Sequence, residues 1–389
     1  MGSDLSSPAA KRALGLLRAL YLSALAFGVL VCSGMIIDQG VDFIVRHVTL
    51  DDSYYYLNTA WNTRQLGWVT FDGHNPTNGV QFLWFWLLYA FSFLFDSRES
   101  FLLGALWLCA VIGALSVLAA WRLGVLLRGL QGGLLMAGFV AYGVIDVAYL
   151  RVLENTIHLL IFLLIVDQYL RLLRDRSQGV AGSPSRFLIL ITLLSLNAWC
   201  RLDAGAVSAV IGLHASWVVW RDPSRRLADR VRLLAVAVAT CGGAASLQLV
   251  VYRLMGGSFL PVSGLWKTGA AELSEVPSLL WLWWGRPLGQ IMPLERAVSA
   301  DAIYASAIAL TALALSRGWL GARRRGDADA SVNAGLAVVA VGLLLHALCM
   351  LFLVDATALR RGFWYRAPHV ARMAMLVTAA LDRIRLRGS

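Results

Sequence analysis

The chain has 389 residues, 59% of them hydrophobic, and a formal net charge of +11 from 34 Lys and Arg against 23 Asp and Glu. A mean hydropathy of +0.67 and repeated apolar runs matching a hydrocarbon layer of ~30 Å exclude an ordinary soluble domain. The basic excess does not call for nucleic acid, because the arginines sit at the ends of apolar runs, where they act as cytoplasmic orientation signals.

Lys11, Arg12 and Arg18 precede the first apolar run, and no small-residue cleavage site stands out after it. It therefore reads as a retained helix rather than a signal peptide. Further helices are expected at 101–121, 131–150, 155–170, 187–200, 204–220, 233–254, 300–317, 333–354 and 369–384, after a first one at 16–37. This gives an all-α polytopic membrane protein with about ten transmembrane helices in a single membrane domain, 1–389. Residues 80–95, VQFLWFWLLYAFSFLF, could span or lie flat as a Trp- and Phe-rich interfacial helix. If they spanned, RDPSRRLADRVR (221–232) and RGWLGARRR (317–325) would face outward, against the positive-inside bias, so the flat reading is preferred. Both termini are then cytoplasmic and the long segments 38–100, 255–299 and 355–368 lie outside. The five cysteines are scattered through apolar runs with no paired or metal-ligand spacing and read as packing residues.

The polar stretch TLDDSYYYLNTAWNTRQLGWVTFDGHNPTNGVQFLW at 49–84 is conspicuous in so apolar a chain. A connection of about 60 residues between two spanning helices exceeds what closing a loop needs. Thr49-Leu50-Asp51-Asp52 fits a capping box with Thr49 as N-cap, opening a helix that Gly67 closes. Both aspartates could serve only as caps. Alternatively, a carboxylate beside an apolar wall at the membrane boundary can act as a general base or bind a cation, and Asp51 is freer for this than Asp52. Tyr54, Tyr55 and Tyr56 cannot share one helix face, so one meets core or lipid while another, assigned to Tyr55, lines a cleft. The segment 71–79 is dense in turn formers, either a plain loop or a shaped acceptor or sugar site using Asp72, His74 and Asn78.

These motifs carry a resemblance. DDSYYYLNTAWN followed by TFDGHNPTNGVQFLW resembles the first extracytoplasmic loop of bacterial glycosyltransferases of the GT-C superfamily. LENTIHLL (153–160) is similar to a Gly-Met-Glu element in which Val152 and Leu153 replace Gly and Met, leaving Glu154 to be carried over. NAWCRLDAGAV (197–207) resembles an Arg-Leu-Asp element, GGSFLPVSGLWKTG (256–269) a Leu-Pro-Val-Ser-Gly-x-x-Lys stretch, and GFWYRAP (362–368) an aromatic-Tyr-x-x-Pro motif. All five fall on the outer side of the charge-derived topology, in the family's order.

The resemblance implies interfacial juxtamembrane helices in the first outer loop and a multi-pass protein of the bacterial inner membrane. Its active site would face the periplasm or cell exterior, with the lipid bilayer as environment. It further implies inverting transfer of a sugar from a polyprenyl-phosphate-linked donor to a glycan or lipid acceptor hydroxyl. In that chemistry Asp51 is the expected base and Asp52 an orienting partner or alternate base. Arg201 and Lys267, one of two lysines, with Arg366 third, would meet the departing phosphate. Tyr55, Asp72, His74, Asn78, Glu154, Asp203 and Tyr365 complete the substrate-binding set. Simpler readings stand beside these: Arg201 and Asp203 pair at a helix break, and Glu154 is a helix N-terminal acid. No organic cofactor is expected, and the sequence leaves a divalent cation open, because two adjacent carboxylates alone are poor evidence for a metal site. The alternatives are a lipid-linked glycan ligase or polymerase, a lipid or sugar transporter, and a non-catalytic scaffold.

Overall fold

The computed structural model describes residues 8–145, 151–178, 183–259 and 261, together with 331–343 except 333, 340 and 342. The helices expected at 300–317 and 369–384, most of the one at 333–354, most of the outer segment 255–299, and Lys267, Tyr365 and Arg366 lie outside the described residues.

Among the described residues the regular elements of the chain are all helices. In order it forms α1 (Pro8–Ile37), α2 (Val41–Phe43) running into a π-helical turn Ile44–Val48, α3 (Asp51–Leu66) and α4 (Phe82–Ser92). It continues as α5 (Arg98–Ile145), α6 (Asn155–Ser177), α7 (Pro184–Cys200), α8 (Gly205–Trp220) and α9 (Leu227–Gly256). Four of these, α1, α5, α6 and α9, are long and apolar enough to cross a membrane.

α5 is two helices in one. Arg128 (φ −148°) and Gly129 (φ 59°) leave helical geometry, and the chain folds back as a hairpin. A Cβ on Gly124 would collide with the carbonyl of Gly132, so only glycine permits this approach of the two backbones. This accounts for the separate expectations at 101–121 and 131–150.

The packing gives each helix a direction. Gly34 of α1 lies against Trp107 of α5, whereas Tyr21 meets Trp121, so α1 and the first half of α5 are antiparallel. Cys200 of α7 lies near the Glu154 carbonyl and Arg186 pairs with Asp175, so α6 and α7 are antiparallel as well. α8 then runs alongside α6, with Tyr169 bonded to His214, and α9 alongside α7, with Trp199 bonded to the Ala244 carbonyl. Consequently the end of α1, the first loop, residues 151–154, residues 201–204 and the end of α9 share one end of the bundle.

The other end is rich in arginine. There Arg171 and Arg122 flank the buried Asp167 carboxylate at 2.9 and 3.4 Å, and Arg176 donates to the carbonyls of Val218 and Arg221 at the end of α8. Cations on helix C-terminal carbonyls satisfy orphan acceptors and favour the helix dipole.

Two cores match this division. One fills the bundle, with Val117, Leu123, Phe162, Tyr169, Phe187 and Ile211 among its members, and receives Val339 and Leu343 from the helical residues near 331–343. The second lies under the first loop and joins Ile44, Tyr56, Trp84, Phe85, Leu88, Phe101 and Val152. With eleven residues, α4 is about 16 Å long, roughly half a ~30 Å hydrocarbon layer, and is too short to span. It differs from a helix resting on a surface, because Trp84, Phe85 and Leu88 are fully buried, each such side chain stabilising by about 1.5–3 kcal/mol. Arg64 of α3 ties down its far end, donating to the carbonyls of Ser92 and Phe95 at 2.5 and 2.6 Å.

Candidate functional site

α3 begins one residue later than the capping motif suggested. Leu50 is the N-cap, and its N–H donates to Ser53 Oγ at 3.1 Å, so Ser53 fills the third helical position expected of Asp52. Thr49 instead donates to the Ile44 carbonyl at 3.1 Å and bonds Tyr54 OH. Both aspartates stand in the first turn of α3, where negative charge is favoured by the helix dipole. Asp51 is exposed and accepts the Asp52 N–H at 2.9 Å; Asp52 is half-buried. Gly67 closes the helix in the left-handed region, φ 78°.

The three tyrosines diverge as helical periodicity requires. Tyr54 turns to Thr49, Tyr55 bonds Thr77 and stacks on Phe71 with ring centroids 5.0 Å apart, and Tyr56 is buried. Tyr56 OH accepts the Gln81 N–H at 3.2 Å and hydrogen-bonds Glu154. Burial pushes its phenol well above the ordinary value, and the nearby Glu154 charge adds to this.

Glu154 and the Arg201–Asp203 pair form a largely buried cluster from two separate stretches of chain. Arg201 NH1 donates to Glu154 Oε1 at 2.8 Å, while its Nε and NH2 grip both Asp203 oxygens at 2.9 and 2.7 Å. Arg201 is only 3% exposed and Glu154 5%. Among the described residues one guanidinium bridges the two carboxylates. Burial raises the Glu154 carboxyl above its ordinary range despite the opposing pull of Arg201. The cluster therefore joins the pairing of Arg201 with Asp203 to Glu154 and, through Tyr56, to α3.

Ahead of Glu154 the backbone is strained. Val152 has φ 50°, a conformation costly for a β-branched residue. Surrounding bonds hold the turn: Trp84 Nε1 donates to the Val152 carbonyl at 3.0 Å, and Ser53 Oγ donates to that of Arg151. Val152 stands where the related motif has glycine, which would take this φ without strain.

The turn at 70–77 is built on Asp72. Its Oδ1 accepts the N–H groups of His74 and Asn75 at 2.8 Å, and its Oδ2 accepts Asn75 Nδ2 at 2.8 Å. Those bonds, Asn75's first, hold the carboxyl well below the usual range. His74 is exposed. Asn78 is fully buried and donates to the carbonyls of Tyr252 and Ser258 at 3.2 and 3.0 Å. Asp72 and Asn78 thus shape the loop and clamp it to the end of α9, with Tyr252 OH returning a bond to the Val80 carbonyl at 3.0 Å. Ser53 and Trp84 were not singled out from sequence, and Val152 entered only as the residue in place of the motif glycine. Tyr56 entered as one of three diverging tyrosines, five residues from Asp51 and so on the opposite side of α3.

Two cavities adjoin this end. One of about 190 Å³ lies between α2, α3 and the start of α5. The other, about 380 Å³ and mostly apolar, runs between α7, α8 and α9 from Trp199 and Gly205 toward Ser216. Among the described residues no group of three or more His, Cys, Asp or Glu side chains is gathered as a metal site.

This architecture, an all-α bundle whose first long loop folds into helices at one end, has counterparts among solved structures. The crystal structure of ArnT from Cupriavidus metallidurans bound to undecaprenyl phosphate is similar at TM-score 0.55 and 14% identity, over 94% of this chain and 60% of that one. The apo oligosaccharyltransferase of Archaeoglobus fulgidus gives TM-score 0.48 and 11% identity, over 94% and 51%. This chain thus spans about 60% of the ArnT chain, and at such identity the likeness is one of fold. No family model and no curated protein matches the sequence.

Proposed function

We propose that this protein is an inverting glycosyltransferase of the bacterial inner membrane, taking a sugar from a polyprenyl-phosphate-linked donor and passing it to an acceptor hydroxyl on the extracytoplasmic face. The observation that carries this reading is Asp51: an exposed carboxylate in the first turn of α3, at the bundle end opposite the arginine-rich loops. The positive-inside rule puts those loops in the cytoplasm and Asp51 outside. The GT-C fold supports the reaction class, and the ArnT neighbour holds a polyprenyl phosphate.

In the proposed step the acceptor oxygen attacks the anomeric carbon opposite the phosphate. The new C–O bond forms as the bond to the phosphate oxygen breaks, the phosphate keeps the electron pair, and the acceptor proton passes to the Asp51 carboxylate. Glu154, Arg201 and Asp203 support the site from below by holding α3 through Tyr56. The phosphate contacts are proposed for Lys267 and Arg201, with Arg366 third, as the resemblance implies. The apolar groove of α7, α8 and α9 suits a prenyl chain, since it starts at Trp199 and Gly205, which flank the Arg201–Asp203 turn in sequence, and is lined by small residues such as Gly212 and Ala245.

Transfer from radiolabelled polyprenyl-phosphate sugars to endogenous acceptors in membranes tests the proposal. Asp51→Asn should lower transfer by about 10²-fold or more while leaving protein level and unfolding temperature unchanged. Equal transfer by wild type and variant removes Asp51 as base, and no transfer with any such donor removes the reaction.

A further inference from the structure

The cavity between α2, α3 and the start of α5 has no part in the chemistry above. We propose that it is a monosaccharide-binding subsite which seats one sugar unit of the acceptor beside Asp51, making the acceptor a carbohydrate chain. The assignment of that sugar as acceptor rests on the transfer reading.

Register is the first ground. Tyr54, Asn58 and Trp61 follow Asp51 at steps of three, seven and ten residues, the spacing of a single helix face. All three line the cavity. Asn58 stands seven residues along α3, about 10 Å from Asp51, so a chain held in the cavity can present its next unit to the carboxylate.

Chemistry is the second. The floor of the cavity is apolar, built on Trp61 and Phe101, which are buried with rings 5.9 Å apart, and an apolar floor suits the C–H face of a sugar ring. The polar lining comes from Asn58, Arg98 and Glu99. Sugar hydroxyls both donate and accept, and this trio offers amide and guanidinium donors beside a carboxylate acceptor. Arg98 bonds Asn58 Oδ1 at 3.3 Å and Asn62 Oδ1 at 2.9 Å, which fixes the guanidinium and orients the Asn58 amide so that its N–H groups point away from Arg98. Among the described residues neither those amide N–H groups nor the Glu99 carboxylate is taken by a protein partner.

Size and charge argue against the other occupants. About 190 Å³ falls below the ~300–1,000 Å³ of sites for drug-sized ligands and fits one ring rather than an acyl chain. Glu99 offsets Arg98, so a phosphate headgroup would meet a carboxylate together with the cation.

The test uses the full chain in nanodiscs and saturation-transfer NMR with methyl glycosides of glucose, galactose, mannose, N-acetylglucosamine, rhamnose and arabinose. At least one should receive saturation from the wild type. Asn58→Ala and the isosteric Glu99→Gln should each cut the signal about five-fold or more, whereas Asp51→Asn should retain it. No signal with any glycoside, or an undiminished signal in the Asn58→Ala/Glu99→Gln double variant, overturns the subsite. Thermal unfolding of each variant separates lost binding from lost folding, and Glu99→Gln carries the test if Asn58→Ala does not fold. The donor-transfer assay is run in parallel. Transfer without glycoside binding overturns this inference alone; glycoside binding without transfer overturns the transfer reading, and with it the assignment of the sugar as acceptor.

Discussion

Replacing Arg201 by methionine keeps most of the buried volume and removes the cation that, among the described residues, bridges Glu154 and Asp203. Three charge-assisted hydrogen bonds of 2.7 to 2.9 Å disappear. Breaking a buried pair from one side costs about 3–5 kcal/mol. At neutral pH the molecule can limit that loss by protonating Glu154, whose ordinary pKa is 4.5. Taking up that proton at pH 7 costs about 3 kcal/mol, at 1.36 kcal/mol per unit.

The penalty should therefore depend on pH, and its sign can be worked out. In the variant the folded-state pKa of Glu154 rises far above the unfolded one. Stability is then fully present below the unfolded pKa and is lost as pH rises toward the folded pKa. SDS-titrated unfolding in mixed micelles should show Arg201→Met destabilised by about 3–5 kcal/mol at pH 7. The gap to wild type should narrow on going below the ordinary Glu154 value, by less than the ~3 kcal/mol that an unshifted wild-type Glu154 would give, because burial already raises that carboxyl in the wild type. Adding Glu154→Gln should recover most of the loss at pH 7, because the buried charge is then gone, whereas Asp203 is partly exposed and keeps some water. A penalty below about 1 kcal/mol, or one equal at both pH values, would refute the reasoning.

Two further outcomes follow from the loops. Val152 is fully buried in the second core, so truncating it costs packing, but Val152→Gly should be more stable than Val152→Ala by about 1 kcal/mol, because only glycine also relieves the roughly 1–3 kcal/mol of strain at positive φ; a glycine variant no more stable than the alanine one would show that Val152 is not strained. At Asp72 the carboxyl is held low by its turn bonds, so their stabilisation is complete above the unfolded pKa and lost as pH falls through the folded one. Amide exchange at His74 and Asn75 should speed up, relative to intrinsic rates, in acid below about pH 4, and at neutral pH in Asp72→Ala; unchanged protection in that variant would free Asp72 from this role.

Much of the bundle was legible in the chain. Apolar runs and the arginines that bound them set the helices at 16–37, 155–170, 187–200, 204–220 and 233–254 to within a turn or two of α1, α6, α7, α8 and α9. Sequence also marked the acidic start of α3, its glycine stop at Gly67 and the turn around Asp72. These are local features: hydropathy over one helix length, a cap, a side chain reaching three residues along its own backbone.

Long-range contacts were not legible. The flat reading of residues 80–95 came from charge balance, but hydropathy cannot separate a helix resting in an interface from one buried between α3 and α7. Nothing local connects Glu154 to Arg201, 47 residues away, or either to Tyr56. Nor does composition reveal that Val152 sits at positive φ, because that strain is sustained by Trp84 from a distant helix. By itself the sequence determined where helices form and which end carries the positive charge, since both depend on neighbours along the chain. Only the tertiary structure decided which buried charges meet and which face of α3 borders a cavity, because those depend on helices brought together by the loops between them.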